Sequence, residues 1–172
     1  QFATGKVAVM NMWIALVPTA KNSAVLYFSG VPFERLVKFH RLVTKIGFAM
    51  SCLHLYYARL QIAAVTGSAD VFTWATFGVE SVVPGNGSVA FACYTLMVAT
   101  AFKVVRDLKY EVFLLVHYLC MVAVVFNMLH FKLGSTNQLG FLPGLLLQLI
   151  DKYYIAFAPT YTAKLQSIAQ ST

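Results

Sequence analysis

The chain has 172 residues, of which 59% are hydrophobic and 11% charged, with a mean hydropathy of +0.71; soluble domains carry about a quarter charged residues. That composition excludes an ordinary soluble globule and places the chain in a bilayer. The net charge of +7 does not indicate nucleic acid, because no run of Lys and Arg or interleaved aromatic patch accompanies it and the charges flank apolar segments instead.

Gln1 is not an initiator Met, and no basic-then-apolar leader precedes the first apolar stretch. No signal peptide is therefore expected, and the chain reads as an excised piece or a mature form. Five stretches are expected to span the membrane, near residues 5–20, 35–60, 86–105, 110–133 and 138–158, each needing about 20 apolar residues. The third follows "VPGNG" at 83–87, a turn signal that delivers the chain into a helix. Between the second and third lies 61–85, whose piece "VFTWATFGVESVV" is apolar but too short to cross, so an interfacial or re-entrant segment is expected there. Cys52, Cys93 and Cys120 sit inside apolar stretches without paired spacing, which indicates packing rather than a disulfide framework or a CxxC site.

Counting Lys and Arg on alternate sides orients the chain. One face collects Lys21, Arg35, Lys38, Arg41, Lys45, Lys103, Arg106, Lys109, Lys152 and Lys164, the other Lys6, Arg59 and Lys132, and ten against three makes the first face cytoplasmic. Helices 35–60 and 110–133 then both run from cytoplasm to outside and are parallel. The only four histidines lie on these two: His40 and His117 near the cytoplasmic side, His54 and His130 near the outer side.

A lone imidazole in a membrane helix also serves as interhelical hydrogen-bond glue. Matched pairs on two parallel helices are a different pattern. The fourteen-residue step from His40 to His54 spans about 21 Å and the thirteen-residue step from His117 to His130 about 20 Å, which gives two ligand levels, one per leaflet. Haem suits them, being an apolar plate that takes an axial imidazole from each side. Zinc needs four ligands, and the two levels lie too far apart to share them. A proton relay needs carboxylates between the histidines, and the interior offers none. Gly47 stands midway between His40 and His54, where a missing side chain lets a backbone approach a bulky cofactor; close helix packing is the alternative. Fourteen residues keep two side chains on one face, whereas thirteen turn His130 about 140° away from His117 on an ideal helix. Local tightening of the helix or a twist of the bundle is needed to bring it back.

"FERLVKFHRLVTKIGFAMSCLH" at 33–54 and "YEVFLLVHYLCMVAVVFNMLH" at 110–130 resemble the third and fifth helices of the ferric reductase and NADPH oxidase superfamily. The likeness includes the unequal spacings, the Tyr110-Glu111 pair and the His40-Arg41 pair. "PTAKNSAVLYFSG" at 18–30 resembles the family's loop after its second helix, and "LIDKYY" at 149–154 its exit from the sixth.

The resemblance implies an all-α membrane protein, a six-helix ferric reductase transmembrane domain represented here by about five spanning helices and lacking the first. In such a domain two b-type haems pass electrons from a cytoplasmic FAD, reduced by NADPH, to an external acceptor. Carried over by position, His40 and His117 hold the inner haem iron and His54 and His130 the outer, while Arg41 and Lys38 inside and Arg59 and Lys132 outside are candidates for the propionates; snorkelling to headgroups is their ordinary role. With both axial positions filled, each haem is expected to relay electrons without binding oxygen. No strand-GxGxxG-helix fingerprint occurs, so a flavin and nicotinamide domain or subunit is expected as a partner. In the oxidase branch a histidine stands one turn beyond the outer ligand of the third helix and an arginine comes from the second; here these positions are Ala58 and the stretch Thr4–Lys6. That favours reduction of ferric or another metal ion over superoxide or hydrogen peroxide production. A haem-binding anchor subunit that serves a separate reductase is the third reading. Asp70 and Glu80 could attract a cation, although loop carboxylates are usually just solvated. The plasma membrane is the expected location, an organellar membrane the alternative.

Overall fold

A computed structural model describes residues 2–16, 24–76, 82–132, 135–150 and 153. The regular elements among them are all helical, as a bilayer demands, since a helix satisfies its backbone N–H and C=O groups within its own segment. In chain order they are α1 (Phe2–Leu16), α2 (Ala24–Ser29), α3 (Phe33–Thr66), α4 (Pro84–Ala101), α5 (Lys103–Leu108), α6 (Tyr110–His117), α7 (Leu119–His130) and α8 (Thr136–Leu139). Residues 141–150 are helical as well. The parts of the expected spans at 17–20, 133, 151–152 and 154–158 lie outside the described residues, as do Lys21, Glu80, Lys152 and Lys164.

The helix ends follow local chemistry. α3 runs past the expected residue 60 to Thr66, because Gln61–Val65 contains no breaker, and it stops where Gly67 takes φ +72° and donates its N–H to the Ala63 carbonyl at 3.0 Å. Glycine adopts that left-handed conformation without a Cβ clash. The intervening segment is correspondingly shorter than 61–85. With 34 residues α3 is about 51 Å long, against a hydrocarbon thickness of about 30 Å, so it is longer than the apolar layer is thick. α4 starts at Pro84, whose missing N–H costs nothing in the first turn, and stops at Ala101 where Phe102 turns to ψ 139°. The expected 86–105 span thus divides into α4 and the short α5. Taken as one stretch, Tyr110–His130 is the described segment long and apolar enough to cross a membrane.

By its internal contacts the chain divides into two units, Gln1–Val9 with Ile46–Leu139, and Met10–Lys45 with the chain from Gly140 onward. In the first, α4 packs along α6 and α7. The start of α4 meets the end of α7, where the Val83 N–H donates to the His130 carbonyl at 3.0 Å, so the two are antiparallel. Phe48 of α3 stacks on Phe91 at 5.8 Å and meets the edge of Tyr94 at 5.5 Å, while His54 lies near His130 at the α4 start. α3 therefore also runs against α4 and parallel to α7. This is the relative direction that the charge count predicts.

Small and polar side chains face inward here: Ser88 and Ala90 on α4, Ala123 and Asn127 on α7 are buried, whereas Leu115, Val125 and Leu129 are exposed, Leu115 by 73%. A soluble protein buries the opposite set. In lipid the tails are as apolar as leucine, so helices associate through close packing of small residues and leave large apolar ones outside. In the second unit Phe141 is 0% exposed and meets the indole of Trp13 edge-on at 6.0 Å. The Gly140 backbone lies directly against that indole.

Candidate functional site

His54 of α3 and His130 of α7 come together within the first unit, with ring centroids 6.4 Å apart and planes at 81°. A metal ion bonded at about 2 Å to a nitrogen of each ring, with each ring centre about 1 Å further on, calls for about 6 Å between centroids. The observed separation leaves room for that. The His130 Nδ1 lies 2.7 Å from the Val83 carbonyl. A carbonyl can only accept, so Nδ1 carries the proton and Nε2 keeps its lone pair for a metal, as in metal-binding histidines whose other ring nitrogen donates to a carbonyl. Among the described residues no third His, Cys, Asp or Glu joins these two into a metal-binding group. A closed zinc site takes four such ligands, whereas a haem takes its other four donors from the macrocycle.

Two glycines border the rings. A Cβ on Gly87 of α4 would lie 2.8 Å from Cε1 and Nδ1 of His130, and one on Gly5 of α1 would lie 2.9 Å from Cε1 and Nδ1 of His54. Gly5 falls in the Thr4–Lys6 stretch, and its backbone lies against the His54 imidazole. The last carbonyls of α7, which have no intrahelical donor, are tied as well: Gln138 Nε2 donates to Met128 and Phe131 at 2.7 and 3.2 Å, and Asn86 Nδ2 to Leu129 at 2.9 Å. Sequence reading singled out Gly47 and missed Gly5, Val83, Asn86, Gly87 and Gln138. The small residues of "VPGNG" were the one available signal, and they read as a turn. Gly47 itself is buried and accepts the Ser51 hydroxyl at 2.8 Å.

His117 ends α6, its ring 5.2 Å from that of Phe113. Directly after it the helix tightens. The Tyr118 N–H is shared between the Leu114 and Leu115 carbonyls at 3.3 and 3.2 Å, and Met121 N–H reaches the Tyr118 carbonyl at 3.2 Å. The bonds to Leu115 and Tyr118 are of the 3₁₀ type, and each residue wound that way adds about 20° of turn. The addition carries His130 back toward the face of His117 and covers part of the angular deficit of the thirteen-residue spacing.

His40 belongs to the second unit, where its Nδ1 donates to the Ala15 carbonyl at 2.9 Å. The neighbouring Leu16 carbonyl receives Gln148 Nε2 at 3.1 Å, so the end of α1 is closed by side chains from two helices. Lys38, Arg41, Arg59 and Lys132 are exposed; among the described residues the ion pair found is Arg106 with Asp107 at 3.8 Å. Asp70 Oδ1 accepts the Phe72 N–H at 2.8 Å, a local turn that accounts for this carboxylate without a cation. Glu80 lies outside the described residues. No disulfide joins the three cysteines.

Fold and site together define an all-α membrane domain with paired histidines on parallel helices. Residues 4–128 match the family described as ferric reductase like transmembrane component, and the chain belongs to that family. Among curated proteins it is similar to ferric reduction oxidase 2 of Arabidopsis thaliana, 28% identical over 137 residues that cover 80% of this chain and 18% of the relative. Ferric reduction oxidase 3, mitochondrial, of the same plant is 25% identical over 136 residues, 79% of this chain and 18% of the relative. Ferric reduction oxidase 4 is 23% identical over 150 residues, 87% of this chain and 21% of the relative. The chain thus spans about a fifth of the length of these relatives.

Proposed function

We propose that this chain is the membrane segment of an oxidoreductase that carries electrons across a bilayer to reduce ferric or another metal ion outside. His40 and His117 would hold an inner b-type haem, His54 and His130 an outer one. Haem iron supplies a one-electron ferric/ferrous couple that needs no vacant coordination site. The residues would do the rest: each imidazole would ligate a haem iron, the Val83 and Ala15 carbonyls fix the tautomers of His130 and His40, and lipid-facing apolar helices would keep water from the path. Arg41, Lys38, Arg59 and Lys132 are the cations available to haem propionates.

The observation that carries this reading is the 6.4 Å approach of His54 and His130 on parallel helices. The electron source is an FAD and NADPH domain or subunit on the cytoplasmic side, and the plasma membrane is the proposed location. The names of the relatives, together with Ala58 and the Gly5 contact, favour a metal over oxygen as acceptor. Pyridine haemochrome analysis of the purified protein tests it. Two b-type haems per chain are expected, and fewer than one in a folded preparation would overturn the proposal.

A further inference from the structure

The His130 ring is held on two sides. Its ring sits between the Val83 carbonyl at 2.7 Å and the backbone of Gly87, and the helix end that bears it is held by Gln138, itself only 8% exposed, and by Asn86. The ring therefore has little freedom to turn about its Cβ–Cγ bond, since a donor must stay on Val83 and the α4 backbone blocks the side next to Gly87. His54 is bordered likewise by Gly5. The planes that result are 81° apart.

We propose that Gly87 and Gln138 are positioning residues that hold the His130 imidazole at a right angle to that of His54, and that they thereby set the electronic state of a haem iron between the two. This rests on the functional reading above. An axial imidazole donates π density into the iron d orbital perpendicular to its own plane. Two perpendicular planes feed two different orbitals and keep them close in energy, whereas parallel planes feed one and split the pair. Ligand orientation fixed by outer-shell contacts is thus a lever on the iron. In the ferric low-spin state, near-degenerate orbitals give a single strongly anisotropic low-field resonance, and split orbitals give a rhombic three-line spectrum.

The test is electron paramagnetic resonance on the oxidised, purified full chain with its haem, alongside haem quantitation. His54→Ala assigns the line, which should vanish with one haem. Gly87→Ala places a Cβ about 2.8 Å from the ring, so the ring must rotate; the anisotropic line should move toward the rhombic type, or be lost together with one haem while the other stays. Gln138→Leu removes two hydrogen bonds without adding bulk and should shift the line in the same sense, which preserves the readout if Gly87→Ala does not fold. Gly144→Ala is the control: its Cβ would come as near, 2.8 Å, to Leu16 but to no histidine, and the line should stay. Two bound haems with the line unmoved in both Gly87→Ala and Gln138→Leu would overturn the positioning role and leave the functional reading standing. Fewer than one haem in the unaltered chain would overturn both.

Discussion

His54 and His130 are 76 positions apart in the chain, yet their rings lie 6.4 Å from each other at 81°. The contact exists because α3 and α7 both run against α4, which brings residues of equal depth on the two helices to one level. The proposed outer haem depends on both. His54→Ala and His130→Ala should therefore remove the same component from the reduced-minus-oxidised spectrum, with a drop from about two haems to one per chain. Loss of different components from the two variants would contradict the pairing.

The proposed wire has a direction. Dithionite added on the cytoplasmic side of sealed vesicles should reduce a membrane-impermeant ferric chelate trapped on the other side. His117→Ala should reduce that flux by at least about tenfold, in line with losses on mutating metal-site residues. Chelate reduction at the full rate in His117→Ala vesicles would sink the two-haem path.

The tightened turn at Tyr118 makes a separate prediction. Inserting one alanine between Tyr118 and Leu119 rotates and lifts everything beyond it by about 100° and 1.5 Å. It moves His130 away from Val83, Gly87 and His54, although the step from His117 then equals that from His40 to His54. Haem quantitation should show the outer site emptied and the inner retained. Full occupancy of both would mean that the thirteen-residue spacing carries no weight.

Stability should follow the inside-out pattern of burial. Phe141→Ala removes a ring that is 0% exposed and packed on Trp13, and should lower unfolding free energy in detergent by about 3 kcal/mol. Leu115→Ala, at a position 73% exposed, should change it by no more than about 0.5 kcal/mol. Equal losses would place Leu115 in a protein interface rather than against lipid.

The acceptor is open to a direct measurement. With the reductase partner present, reduction of an external ferric chelate should persist when superoxide dismutase is added. Its abolition would move the chain to the oxidase reading that Ala58 and Gly5 argue against.

What the sequence by itself determined is the solvent, the helical class, the four histidines and the parallel course of the two helices that carry them. These follow from composition, from runs of apolar residues and from the side on which Lys and Arg fall, all of which act locally or add along the chain. Helix ends were legible only in part: Gly67 stops α3 through its own backbone conformation, but nothing in "ATAFKVV" announces that Phe102 breaks α4. Tertiary structure decided the rest. Gly5, Val83 and Gly87 come to the two imidazoles, and Asn86 and Gln138 to the helix end that bears one of them, at separations that no local pattern encodes. The tightening at Tyr118 is not announced by any breaker in Leu-Val-His-Tyr-Leu. A backbone carbonyl, moreover, has the same chemistry at every position, so that Val83 serves His130 and Ala15 serves His40 is a fact of proximity alone.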